Sequence, residues 1–190
     1  MKAIYIASSR HHLENHTMNQ LTALSFSIGI LAGAATFFAV GPLSGYFFIW
    51  AATIPWAAYF ALGANETAFK GTITCSIFGV VMAWITAFLL INVPSDALLG
   101  FPLMAALTVT IAVIVMCLAA SIPQLSAIPA SVFGYSMTFA YLLQTPDKMT
   151  KDVLLGVSFS NPLVVISVSI VIGVYLGKFS AQLAQKWTTK

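Results

Sequence analysis

Charge is what this sequence has least of. Lys, Arg, Asp and Glu make up 7% of its 190 residues, against about 25% in ordinary soluble domains. A soluble fold of this length could not cover itself with so few charges, so the bilayer is the expected solvent for most of its surface. Cysteine is also scarce. Cys75 and Cys117 both fall in apolar runs, where a thiol behaves as a small hydrophobe, and no disulfide or metal role is expected. A secretory signal is missing too: the apolar patch at residues 3–7 is shorter than an h-region of roughly 7–15 residues. The formal charge of +3 is too small to point to nucleic acid, and the lysines read instead as topology signals.

Chemistry at depth is the next absence. No Asp, Glu, Lys, Arg or His falls in the middle of any long apolar stretch, and all three histidines lie in the first sixteen residues. Intramembrane acids and bases mark proton relays and ion pathways, so a carboxylate-based pump is not expected. Proteolytic dyads, metal sites and acyl-transfer triads need acid, base or nucleophile partners. The connections are too short for a soluble catalytic domain, and no enzyme and no cofactor is expected. His11, His12 and His16 with Glu14 could be drawn as a metal cluster, but no fourth ligand or enclosing scaffold accompanies them.

What is present is a spacing. Residues 15–65 hold no Asp, Glu, Lys or Arg, a run of 51; 71–95 give 25, 97–146 give 50 and 153–177 give 25. One helical crossing takes about 20 residues. Each long run therefore fits a hairpin of two crossings, and each short run fits one. The expected fold is all-α: a polytopic membrane protein with six transmembrane helices near residues 21–40, 46–62, 72–91, 101–120, 125–143 and 162–180. Residues 1–20 form a polar tail, 21–182 the transmembrane domain and 183–190 a short second tail. Gly41-Pro42-Leu43-Ser44-Gly45 and Ser121-Ile122-Pro123-Gln124 carry turn residues. Asn161-Pro162 reads as an N-cap followed by proline in the first turn. The apolar piece at 153–160, with Gly156, Ser158 and Ser160, is expected at the interface or as re-entrant backbone.

With both termini cytoplasmic, Lys2, Arg10, Lys70, Lys178, Lys186 and Lys190 lie inside, and only Lys148 and Lys151 outside. The positive-inside rule favours that orientation, in a bacterial inner membrane, and keeps it if translation starts at Met18. Long, short, long, short is also a hairpin plus one helix, repeated. Ile54-Pro55 and Ile128-Pro129 sit in the second helix of each half. Three crossings is an odd number, so two such halves form a 3+3 inverted repeat, an arrangement that places a solute site at the repeat interface.

The polarity left at depth is uncharged. Thr53 and Pro55 in one segment, and Ser126, Pro129, Ser131, Gly134 and Thr138 in another, are the candidate lining of a solute path. Hydroxyls beside freed carbonyls can exchange hydrogen bonds with a small neutral molecule. Their alternative use is bonding back to their own helix. Small residues four apart, Ser25, Gly29 and Gly33 on the first helix and Gly173 and Gly177 on the last, are candidate helix-packing positions, within the chain or against a second copy. The expected partners are thus the lipid bilayer and the chain itself.

The pattern Leu125-Ser126-x-x-Pro129-x-x-x-x-Gly134-x-x-x-Thr138-Phe139-Ala140, with echoes in Ala58-Tyr59-Phe60-Ala61, Lys70-Gly71 and Gly173-Val174-Tyr175, resembles the YcdZ-like family. These are small bacterial inner-membrane proteins with a domain of unknown function. The similarity runs from Met18 to about Ala184, and Ala130 stands where the family often has glycine after the proline. The resemblance implies a cytoplasmic-membrane location and a start at Met18, and it transfers no catalytic residue and no substrate. The function expected from the residues is a passive channel or facilitator for a small uncharged solute. An accessory subunit without transport activity and a sodium-coupled secondary transporter are the alternatives.

Overall fold

The structure is a computed structural model describing residues 18–93 and 100–188. The histidines, Glu14, Lys2, Arg10 and Lys190 lie outside the described residues. The described residues form seven α-helices and no strand. They are α1 (Gln20–Val40), α2 (Ile49–Ala61), α3 (Glu66–Leu90), α4 (Gly100–Leu118), α5 (Ile128–Gln144), the short α6 (Lys151–Leu155) and α7 (Pro162–Thr188). A helix therefore stands at each of the six expected places. Four of them, α1, α3, α4 (continued to Ser121) and α7, are long and apolar enough to cross a membrane. The other two, α2 with 13 residues and α5 with 17, are shorter than the roughly 20 residues of a perpendicular crossing.

Local chemistry sets the boundaries. The Asn19 side chain accepts from the Thr22 N–H at 2.8 Å and starts α1, and Asn65 does the same for Ala68 at 2.8 Å and starts α3. The second cap moves the start of α3 six residues ahead of the expected position, so Lys70 is helical. Asn161 caps α7 as its sequence implies, accepting from the Leu163 N–H at 2.9 Å. That helix runs on through Thr188, so residues 183–188 are helical. The turn at 41–45 needs its glycine: Gly45 has φ +86°, a left-handed conformation that costs other residues.

Pro55 does sit inside α2, where it leaves the Ala51 carbonyl without its helical donor. Pro129, by contrast, lies in the first turn of α5. There its missing N–H has no helical partner to lose, so it starts the helix instead of breaking it. The two Ile-Pro steps are equivalent in sequence and not in structure.

Long helices consecutive in sequence alternate in direction. The pairs that pack most extensively are α3 with α5 and α2 with α7, followed by α1 with α7, α3 with α7 and α4 with α3. Both leading pairs are parallel. Phe48 donates its N–H to Ser169 Oγ at 3.0 Å and Trp56 its indole N–H to Ser180 Oγ at 3.0 Å, so α2 and α7 advance together. The main core joins Val80, Ala87, Met137, Tyr141, Val165, Ile166 and Ile170 from α3, α5 and α7. Segment 145–161 closes one end of it. Leu154 is fully buried there, and its carbonyl accepts from Trp84 Nε1 at 2.8 Å and Asn161 Nδ2 at 3.0 Å, while Tyr141 donates to the Ser160 carbonyl at 2.9 Å. Val157 and Leu155 of the same segment are exposed.

Candidate functional site

Along the α3–α5 seam the two backbones touch. A Cβ on Gly79 would strike the Ser131 carbonyl and come within 2.8 Å of the Tyr135 nitrogen. One on Gly134 would strike the Ser76 carbonyl and lie 2.7 Å from its carbon. The contact is reciprocal: the glycine of each helix meets the serine of the other. Both helices carry the same spacing, Ser76-Ile-Phe-Gly79-Val-Val-Met82 and Ser131-Val-Phe-Gly134-Tyr-Ser-Met137. Two parallel helices with one motif pack through it as a local two-fold pair. Such close approach depends on small residues, since lipid supplies no hydrophobic drive for helices to associate.

The seam is also where the fold leaves hydrogen bonds unmade. Among the described residues, the buried side-chain oxygens with no hydrogen-bond partner are Thr72 Oγ1, Ser76 Oγ, Ser131 Oγ and the Tyr135 hydroxyl. All four belong to α3 and α5. Tyr135 packs against Phe139, with ring centroids 5.0 Å apart. Its hydroxyl faces Thr86 without hydrogen-bond geometry, and Thr86 gives its own proton to the Met82 carbonyl at 2.8 Å. Each buried unsatisfied hydroxyl costs on the order of 1–3 kcal/mol. No group of three or more His, Cys, Asp and Glu side chains is placed to hold a metal among the described residues.

The sequence-predicted residues divide across this geometry. Ser131 and Gly134 lie in the seam, and Thr138 is buried beside them with its hydroxyl returned to the Gly134 carbonyl at 2.9 Å. Ser126 and Pro129 are exposed at the entrance to α5. Thr53 is elsewhere. Its hydroxyl donates to the Trp50 carbonyl at 3.1 Å, and it lines an apolar groove of about 460 Å³ between α1 and α2 with Leu24, Ile28 and Trp56. Pro55 is buried in α2. The two Ile-Pro segments therefore do not bring their hydroxyls to one place.

The packing positions divide as well. A Cβ at Gly173 would strike the Ala52 carbonyl, and one at Gly177 would lie 2.9 Å from the Tyr59 ring and 3.0 Å from Trp56. These two glycines serve α7 against α2. Ser25, Gly29 and Gly33 are exposed, and a Cβ at either glycine would meet nothing within 4 Å. That ridge faces away from the bundle. Thr72, Ser76, Gly79 and Tyr135 were not legible as site residues. Their signals were the small-residue row Thr72, Ser76, Gly79, Ala83 and Ala87, and the shared S-x-F-G-x-x-M motif.

Four apolar membrane-length helices and a polar seam free of charge define the class: an all-helical integral membrane protein. The chain belongs to the family described as Protein of unknown function (DUF1097), whose model matches residues 25–185. No curated protein and no solved structure matches it.

Proposed function

We propose that this protein is a bacterial inner-membrane facilitator for a small uncharged solute, of the YcdZ-like group, with six crossings and both termini cytoplasmic. The observation that carries the reading is the set of four unpartnered hydroxyls buried in the α3–α5 seam. Hydroxyls of this kind can exchange hydrogen bonds with a neutral molecule at less desolvation cost than an ion would incur. Glu66 and Lys70 lie in the first turns of α3 and Lys186 in the last turn of α7, while Lys178, further inside α7 and half-buried, pairs with Glu66 at 3.1 Å. Depth without charge disfavours ion translocation.

Two short helices are compatible with six crossings if the bilayer thins or the connections complete the span. The inverted repeat draws its support from packing. Exchange α1 with α4, α2 with α5 and α3 with α7: α3–α5 becomes α7–α2, α1–α7 becomes α4–α3, and α2–α3 becomes α5–α7, so close pairs map onto close pairs. The hairpin turns match too. In one half, the Phe48 N–H reaches Ser169 on α7. In the other, Cys75 Sγ of α3 donates to the Gln124 carbonyl at 3.5 Å. Self-association through the outward face bearing Ser25, Gly29 and Gly33 belongs to the same proposal, supported by that face's exposure.

The test is proteoliposome swelling with urea, glycerol, short amides and water. Faster swelling than in empty vesicles is expected. Equal rates with every solute would reject the facilitator, and a stoichiometric foreign membrane protein on purification would then assign the accessory role. Sodium-dependent thermal stabilisation would assign the coupled transporter.

A further inference from the structure

The two seams that the exchange of halves relates are not alike in hydrogen bonding. In α2–α7, Ser169 Oγ donates to the Val165 carbonyl at 2.7 Å and accepts from Phe48, while Ser180 Oγ donates to the Gly177 carbonyl at 2.8 Å and accepts from Trp56. The hydroxyls of that seam are satisfied. In α3–α5, the four hydroxyls of Thr72, Ser76, Ser131 and Tyr135 are buried and unpartnered. Each seam brings a glycine against a carbonyl of the facing helix, twice in α3–α5 and once in α2–α7. Only one therefore gains hydrogen bonds by parting.

Resting on the facilitator reading, we propose that the α3–α5 seam is the solute site, and that it parts to admit a small neutral molecule carrying both a donor and an acceptor. The chemistry of the four groups sets the ligand class. A hydroxyl can donate one hydrogen bond and accept others, so each of the four asks for a partner that does both: water, urea, a short amide or a small polyol. A cation finds no carboxylate there and an anion no positive side chain. The related seam, α2–α7, is the fixed frame against which α3 and α5 separate.

The chain carries its own reporter. Cys75 is fully buried one residue before Ser76, with its thiol on the Gln124 carbonyl. Ser169 is its counterpart, also fully buried and also bonded to the hairpin turn of the other half. In proteoliposomes, a small water-soluble methanethiosulfonate would be applied to Cys75 in a Cys117→Ala background. The comparison is Ser169→Cys in a Cys75→Ala, Cys117→Ala background. Cys75 is expected to react about tenfold faster or more, because opening restores hydrogen bonds only in its seam. Ser76→Ala with Ser131→Ala should slow that reaction, since the closed state then leaves fewer groups unsatisfied. Ser131→Ala alone gives a smaller change in the same direction if the double variant does not fold.

Equal rates at the two cysteines, or rates indifferent to the serine substitutions, would overturn the assignment. Swelling with Cys75 protected would keep the facilitator and move its path elsewhere. Cys75 reactivity that depends on the two serines, without swelling, would keep the opening seam and reject the facilitator for the solutes used.

Discussion

Glycine has two meanings in this chain, and single substitutions separate them. At Gly134 and Gly79 any side chain meets a carbonyl of the facing helix, so Gly134→Leu should destabilise the fold by about 3 kcal/mol or more, beyond ordinary overpacking. Gly29→Leu, on the outward ridge, should change stability by less than about 0.5 kcal/mol. Thermal unfolding in detergent, followed by tryptophan fluorescence, distinguishes the pair. Equal effects would mean that the seam is not closed as described. The unpartnered hydroxyls give the opposite sign: Ser131→Ala should leave stability unchanged or raise it by up to about 1 kcal/mol, because it removes an unmet demand. A loss of more than about 1 kcal/mol would show that Ser131 has a partner in the folded protein. Sequence could supply the residue types for these arguments and not their surroundings. Ser131 and Gly134 were legible as special because an apolar segment has little reason to hold them. Ser76 and Gly79 carry the same spacing but lie in a stretch without proline, so nothing drew attention to them until the two helices met.

Helices were legible because long stretches of the chain hold no charge, and the start of α7 because Asn161-Pro162 marks it. Their lengths were less so, since side-chain caps decide them: Asn65 adds six residues to α3, and Ile122-Pro123 with Pro129 delays α5 to Ile128. Segment 145–161 was ambiguous in sequence for a physical reason. Its apolar residues do two jobs, Leu154 turning into the core while Leu155 and Val157 face outward, so composition has no single period to report. Asn161 ties that segment down, donating to the Leu154 and Gly156 carbonyls at 3.0 and 2.9 Å while capping α7. Asn161→Ala should cost about 1–2 kcal/mol from the lost cap alone. It should also speed amide hydrogen exchange across 151–161 more than in α3 or α7. Uniform exchange across all three would mean that the segment holds its place by apolar contact and not through this side chain.

For the whole molecule, orientation rests on a small charge difference. One end carries Lys70, Lys178 and Lys186; the other carries Lys148 and Lys151, next to Asp147 and Asp152. In the proposed inverted repeat the halves pack as near images of each other, so packing would give little preference for either orientation and leave the decision to the lysines. Acidic residues contribute little to that decision. Asp147→Lys with Asp152→Lys therefore changes the balance by adding positive charge. Counted from Met18, Lys70, Lys178, Lys186 and Lys190 stand on one side, and the double variant raises the other side from two to the same number. On the proposed orientation a C-terminal reporter is cytoplasmic in the parent; in the variant it should divide between cytoplasm and periplasm, and an insertion at Val157 should divide in the complementary sense. Fusions that stay cytoplasmic in the variant would mean that something other than the lysine count fixes the orientation, with the first twenty residues as the next segment to delete.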